Sequence, residues 1–427
     1  MIYQIFLRTF TNEGTLTAAE KLLPHVKSLG TDYVYLCPTF VQDDDPDPKY
    51  WSGNQKRCGL NNPCNPYRIK DYYHVDPEYG TDDDLRHFVK AVHGLGMKVM
   101  FDLVYFHCGP TAVFLDEHPD FILRKEDGTP VIGDWSFPQL NYGNPELREY
   151  MWQNMEYLVR EFDCDGYRCD VADLVPIDFW IEGRRRVKVI KDDFIMLIEG
   201  LYEPRWREAY DLIYEFWLSA SMKKVLEGAE PAAYIAGRRK EYEEKYIYGG
   251  TTLLNWENHD YASGTWTKRP DKTFGRAATD TMLFLLYTMR GEPFLYAGNE
   301  IADGNVHSIY ANRFHGGNMT IDWQNILTED GQARLALVKR LDELRRANRP
   351  LSEGSMTFVD TDAPSVLAFV RACDGLKLTA AVNMSGEVVT CAIDGVTEDL
   401  LLDRGAALAA DGRLSLEPYG FAVIQGK

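Results

Sequence analysis

Residues 166–170 read Gly-Tyr-Arg-Cys-Asp and residues 195–199 read Ile-Met-Leu-Ile-Glu, two short strand-forming runs that each close on a carboxylate. Working outward, the same texture recurs at Tyr3–Arg8, Tyr33–Cys37, Lys98–Val104, Leu212–Phe216, Thr252–Trp256 and Phe294–Ala297. Amphipathic segments separate these runs, which is the pattern of parallel strands joined by helices. Several helix starts are readable. Thr17-x-x-Glu20 predicts a capping box, and Thr81-x-x-Asp84 predicts another ahead of Leu85, Phe88, Val89 and Val92, with Gly94 and Gly96 ending the run. Asn144-Pro145 supplies an N-cap and a first-turn proline. Eight strands alternating with helices predict an α/β fold, a (β/α)8 TIM barrel.

Beyond Asn348-Arg349-Pro350 the helical period disappears. Ser365–Arg371, Leu376–Asn383 and Val388–Ile393 are short, rich in β-formers and punctuated by Gly, Asp and Asn. The expected organisation is therefore a catalytic barrel over 1–107 and 143–351, a short inserted segment at 108–142 after the third strand, and a C-terminal antiparallel β-sandwich over 352–427. The insert and the connection Thr39–Pro66 are long for a compact domain, where such loops usually serve as binding walls. The acidic run Asp43-Asp44-Asp45 in the second reads as a solvated face.

Composition narrows the function. With 45% apolar and 26% charged residues the chain is globular, not disordered. Asp plus Glu total 65 against 46 Lys plus Arg, a net charge of −19, which argues against a nucleic-acid partner. No apolar run approaches the ~20 residues that cross a bilayer. The opening MIYQIFLRTFT lacks the features of a signal peptide, so a cytoplasmic location is expected. Cys37, Cys164, Cys169 and Cys391 lie in apolar runs and read as reduced core thiols, while Cys58 and Cys64 flank a Gly/Asn/Pro loop and would pair only in an oxidising compartment.

The position of the acids is the sharpest signal. Asp102, Asp170, Glu199, Asp260 and Glu300 each fall late in, or just after, an apolar run. One such acid caps a helix; five, accompanied by His107, Arg168 and His259, point to the face of a barrel where C-terminal strand ends gather catalytic groups. Carboxylates on neighbouring strand ends suit glycoside cleavage, which needs a protonated acid beside the leaving oxygen and a carboxylate opposite the anomeric carbon. No nucleophile elbow, P-loop or dinucleotide turn appears at a strand–helix junction.

These residues carry a resemblance to the α-amylase superfamily of retaining glycoside hydrolases, and within it to short-insert bacterial α-amylase-like proteins. Asp102-Leu-Val-Tyr-Phe-His107 resembles its first signature, Gly166 through Ala172 the second, Glu199-Gly200 the third and Asn258-His259-Asp260 the fourth; Gly30 through Pro38, Pro138 through Asn141 and Gly291 through Glu300 match secondary motifs in order. The resemblance implies Asp170 as nucleophile, Glu199 as acid/base and Asp260 as transition-state stabiliser. It implies that Tyr67 stacks on the sugar, that His107 and His259 donate to its hydroxyls, and that Asp102 organises Arg168 or a sugar hydroxyl; Arg168, two residues before Asp170 on one face, is expected to hold it ionised. The implied substrate is a starch-derived α-glucan or maltooligosaccharide; a transglycosylase or isomerase on the same site, or an inactive carbohydrate-binding scaffold, are the alternatives. Calcium-binding relatives have Asn before the first-signature His, where this chain has Phe106, which cannot ligate, so no metal or other cofactor is expected. Asp173 and Leu174 stand where some amylases carry Lys-His. Trp51, Trp135, Trp256 and Trp266 are candidates for stacking on sugars.

Overall fold

The computed structural model describes residues 1–201, 203–262, 269–315, 319–393, 399–409 and 412–425. Eight parallel strands close a barrel in chain order: β1 (Ile2–Ile5), β2 (Tyr33–Leu36), β3 (Lys98–Leu103), β4 (Gly166–Cys169), β5 (Ile195–Ile198), β6 (Leu212–Tyr214), β7 (Thr251–Leu254) and β8 (Glu292–Tyr296). Alternation along the strands explains both layers of the core. Tyr35, Met100, Leu197, Tyr214 and Phe294 fill the barrel, whereas Val34, Phe101, Tyr167, Met196 and Leu295 face the surrounding helices.

Local differences from the sequence reading have physical causes. The first strand stops at Ile5, because the Thr9 and Phe10 amides turn back onto the Phe6 carbonyl and Leu7–Phe10 becomes a helical turn that buries Arg8. The first helix after it, Leu16–Glu20, is capped by Thr15, not Thr17: Thr15 has the extended backbone that an N-cap needs, and its side chain accepts from the Ala18 amide. The Thr81–Asp84 capping box and the Asn144-Pro145 start are both present.

The segment between β3 and the helix Pro145–Phe162 contains two single 3-10 turns and isolated bridges such as His107 with Gln139 and Ile132 with Pro138. In the β2–β3 connection, the strands Phe40–Gln42 and Ile69–Val75 pair as an antiparallel ribbon beneath a short helix, Gly53–Arg57. The acidic run there is not uniformly solvated. Asp43 is fully buried, accepting from the Thr111 amide and hydroxyl and lying 3.5 Å from Arg68, while exposed Asp44 pairs with Lys70.

The C-terminal module is one connected antiparallel sheet of β9 (Ser355–Val359), β10 (Val366–Cys373), β11 (Leu376–Asn383), β12 (Val389–Cys391), β13 (Leu400–Leu408) and β14 (Leu414–Gln425). The expected sandwich takes this form because the long β14 serves both halves: its residues 421–425 pair with β11 and its residues 414–416 with β12. Leu367, Phe369, Val382 and Phe421 cover the barrel, with Phe421 stacked on Phe284, and Ala368, Ala381, Leu416 and Ile424 build a second small core on the other face. All eight cysteines are free thiols, including Cys58 and Cys64. Among the described residues no helix is long and apolar enough to cross a membrane.

Barrel and sheet module are tied by charge as well as by apolar surface. Asp280 is fully buried and accepts from Arg334 and Arg276 on the barrel side and from Arg404 of β13. Removing one partner of a buried network leaves the others uncompensated, so Asp280→Ala is expected to lose about 3–5 kcal/mol of stability. Asp330→Ala, which removes only a solvent-exposed partner of Arg276, is expected to lose less than about 1 kcal/mol. Chemical denaturation of both variants measures the contrast.

Candidate active site

The C-terminal strand ends open on one cavity of about 110 Å3. Its floor is Asp170, Val171, Glu199 and Asp260; one wall is Ser52, Asn54, Asn65 and Tyr67, another is His107, Trp135 and Phe137, and a third is Ile309 and Tyr310. Asp170, Glu199 and Asp260 follow β4, β5 and β7, so residues 90 positions apart in the chain share one floor.

Strand register dictates how the floor is wired. Arg168 lies opposite Asp102 of β3 and Leu197 of β5. Two residues further along each strand, on the same face, stand Asp170 and Glu199. One guanidinium therefore meets three carboxylates: Arg168 Nη1 donates to Asp102 and Asp170, each at 2.8 Å, and Nη2 lies 2.6 Å from Glu199. Groups on one guanidinium are close enough for the roughly 5–5.5 Å separation that retaining chemistry uses. Glu199 also accepts from the Val171 amide at 3.0 Å.

Sharing changes the expected electrostatics. Burial pushes the Asp170 carboxyl well above the usual carboxylate range; Arg168 opposes this, while Glu199 and Asp102 add to it. Arg168 thus favours the ionised form of Asp170, as expected, against the larger effect of burial, with its one positive charge shared among three acids. Such a cluster titrates as a unit and retains a proton more readily than an isolated carboxylate does.

Behind the floor runs a hydrogen-bonded chain with a defined direction. The Gln4 carbonyl accepts from the His259 amide, so its NH2 faces His259 Nδ1 at 2.7 Å. Nε2 of His259 then carries the proton and donates to the Tyr67 hydroxyl at 2.6 Å, which donates to Asp102 Oδ2 at 2.8 Å; Tyr35 donates to the same oxygen at 2.6 Å. The Tyr67 ring stacks on His259, with centroids 5.3 Å apart. Burial lowers the His259 pKa to about 4, keeping the ring neutral. Asp102, Arg168 and His259 consequently lie beneath the cavity wall, and both ring nitrogens of His259 are already engaged within the protein.

His107 is different. Its Nε2 faces the Tyr67 carbonyl at 2.9 Å, and a carbonyl only accepts, so this nitrogen bears the proton. Burial lowers its pKa to about 4, and Nδ1 is a buried acceptor with no protein partner among the described residues. The ring lines the cavity, while Nδ1 itself is buried.

Other expected residues fall elsewhere. Glu300 is fully buried and accepts from Tyr3 and the Gly298 amide, outside the cavity. Trp51 is buried and donates to the Asp45 carbonyl, Trp256 is a core residue beside Arg334, Trp135 lines the cavity, and Trp266 lies outside the described residues. Asp173 accepts from the Leu201 amide and packs on Gly200, where a Cβ would collide with it; it braces the loop after Glu199. The ring of Phe106 packs edge-on to Trp135 and offers no metal ligand. Sequence reasoning missed Ser52, Asn54, Asn65, Ile309 and Tyr310. Only the length of the Thr39–Pro66 loop hinted at the first three, and no local pattern marked the last two.

The family model for the α-amylase catalytic domain matches residues 4–127 and 132–349. The chain is 24% identical over 430 residues to the α-amylase MalA of Haloarcula japonica, spanning 96% of this chain but 59% of that protein. It is 25% identical over 445 residues to a cyclomaltodextrinase of a Bacillus species, covering 92% and 74% of the two chains. The structure superposes on an α-amylase from Lactobacillus plantarum with a TM-score of 0.81 and 25% identity, covering 100% of this chain and 98% of the other.

The wiring of Arg168 makes a pH-dependent stability prediction. Arg168→Met strands three carboxylates without their cation, and the expected loss at neutral pH is about 3–5 kcal/mol. Removing the cation raises the folded-state pKa of Asp170 further above the unfolded value, so the folded variant binds more protons than its unfolded chain. Its stability therefore falls as pH rises, and the deficit against the parent is expected to be smaller at pH 5 than at pH 8 in denaturant titrations.

Proposed function

The chain belongs to the α-amylase family, and on that premise we propose that it is a retaining glycoside hydrolase cleaving α-glucosidic bonds in α-glucans or maltooligosaccharides. The observation that carries this reading is the pairing of Asp170 and Glu199 on one guanidinium at the floor of a cavity that also receives Asp260. In the first step Glu199 gives its proton to the glycosidic oxygen as the C1–O bond breaks, and an Asp170 oxygen forms a bond to C1, yielding a glycosyl ester and a free sugar alcohol. In the second step Glu199, now a carboxylate, takes a proton from water; the water oxygen bonds to C1 and Asp170 leaves as a carboxylate. The half-accessible Asp260 carboxylate faces the oxocarbenium-like charge that develops between these states.

Supporting residues act on position and proton count. Tyr67 offers its ring at the cavity wall while Asp102 and His259 fix its hydroxyl, and the His107 ring forms part of another wall. The first step requires the proton on Glu199 and Asp170 as a carboxylate. The Phe106 position does not fit the family's calcium, and no step in this scheme uses a metal. Eight free thiols support a reducing, cytoplasmic setting.

Two experiments test the assignment. Asp170→Asn is expected to abolish hydrolysis of maltooligosaccharides, and Glu199→Gln to slow substrates with poor leaving groups far more than activated aryl glycosides, because only the former need protonation. Equal slowing of both substrate types would remove Glu199 from the acid role, and products longer than the substrate would assign transfer instead of hydrolysis. The second concerns pH. Asp170 must be ionised to attack, its pKa is raised, and activity therefore declines as pH falls through that raised value. Asp102→Asn removes a like charge and leaves Arg168 to the other two acids, so the acid limb of kcat/KM is expected to move to lower pH.

A further inference from the structure

We propose that the glycone end of the cavity is closed by a strap, so that the enzyme removes short units from non-reducing chain ends and does not cut inside a chain or a ring. This rests on the assignment of Glu199 as the acid in the preceding section.

The argument starts from topology. The strands follow one another around the barrel in chain order, so in a ring of eight, β1 is diametrically opposite β5. Glu199 stands at the end of β5 and protonates the leaving oxygen, which puts the departing part of the chain on that side. The other part, the glycone, extends toward β1. There the loops that follow β2 and β8, the two neighbours of β1 in the barrel, meet. Ser52 and Tyr310 share a hydroxyl–hydroxyl contact of 3.2 Å, and the Asn62 side chain donates to the Tyr310 carbonyl at 2.9 Å. Ser52, Ile309 and Tyr310 face the cavity, so the junction is one of its walls.

A second, independent set of contacts fixes the junction from below. Arg8, in the turn that ends β1, is 4% exposed and donates through Nη1 to the carbonyl of Cys64 on one loop and of Ile309 on the other. Its Nε and Nη2 hold Glu78, each at 2.8 Å, and Glu78 accepts in turn from Asn312 at 3.1 Å. Both loops are thus anchored to one buried guanidinium. A strap held this way does not swing aside for a continuing chain. An α-glucan whose glycone side runs on for many residues, or a cyclic one with no end at all, meets the wall of Tyr310.

The test compares three substrates by product chromatography: maltoheptaose, a maltoheptaoside blocked at its non-reducing end by a 4,6-O-ethylidene group, and β-cyclodextrin. The expected result is stepwise shortening of maltoheptaose from its non-reducing end, with the blocked and cyclic substrates cut at least about 100-fold more slowly, the scale on which misplacement at a reacting centre acts. Tyr310→Ala, and separately the pair Ser52→Ala with Asn62→Ala, are expected to raise the blocked-to-open rate ratio at least about tenfold. That ratio is internal to each sample and does not depend on how much variant folds. Comparable rates on all three substrates, or a ratio unmoved by either variant, would overturn the strap while leaving the hydrolase reading intact. Failure to cleave any of the three would overturn the hydrolase reading and the strap with it.

Discussion

A buried guanidinium shared by three carboxylates is the constraint around which this molecule is arranged. Arg168 is fully buried, and bringing it from water carries a cost that only close partners repay. Asp102, Asp170 and Glu199 supply them, but three acids on one cation leave the cluster with surplus negative charge. Burial, with that surplus added to it, pushes the Asp170 carboxyl well above the usual carboxylate range. The strand register fixes who meets whom, since a slip by one residue would turn all three acids to the opposite face of their strands. Barrel closure and site electrostatics are therefore the same constraint at two scales.

That constraint was largely legible in the sequence because it is periodic. Arg168 and Asp170 share a face by counting two, and the apolar runs ahead of Asp102, Asp170 and Glu199 mark their strands without knowledge of contacts. All eight barrel strands overlap the apolar runs of the sequence. What escaped is what periodicity does not encode. The role of Gln4 depends on meeting His259, 255 residues away, and the wall at Tyr310 depends on Asn62 and Ser52 in another loop. Glu300 looks like Asp102, Asp170 and Glu199 in sequence, yet its carboxylate points to Tyr3 and His25. The proton on His107 was invisible for a related reason: it is set by a backbone carbonyl.

Arginine recurs as the device that holds irregular loops. Arg68 is fully buried and donates to the carbonyls of Asp43, Asp45, Tyr50 and Pro63, so one side chain ties together four points of the loop. Arg269 does the same between Glu257, Asp303 and the Asn305 carbonyl. Five donors in a rigid fork suit this task better than a lysine's mobile point charge. In a chain with 19 more acidic than basic charges, several of its arginines lie inside, where they tie the loops around the cavity to the barrel.

The residue after Asp170 shows what this architecture demands of the backbone. Val171 adopts φ 37° and ψ 43°, left-handed values that a β-branched residue reaches only at a cost of order 1–3 kcal/mol. The turn is held on both sides. The Val171 amide donates to the Glu199 side chain, the Ala172 amide donates to the Glu199 backbone carbonyl at 2.9 Å, and Trp180 donates to the Ala172 carbonyl at 3.1 Å. An extended residue here would carry the chain up and away from β5, and the amide that orients Glu199 would be lost. The strained turn instead folds the chain across the neighbouring strand end immediately after Asp170. The two carboxylates are consequently positioned against each other by backbone as well as by Arg168, and a shift in one is transmitted to the other through a single amide.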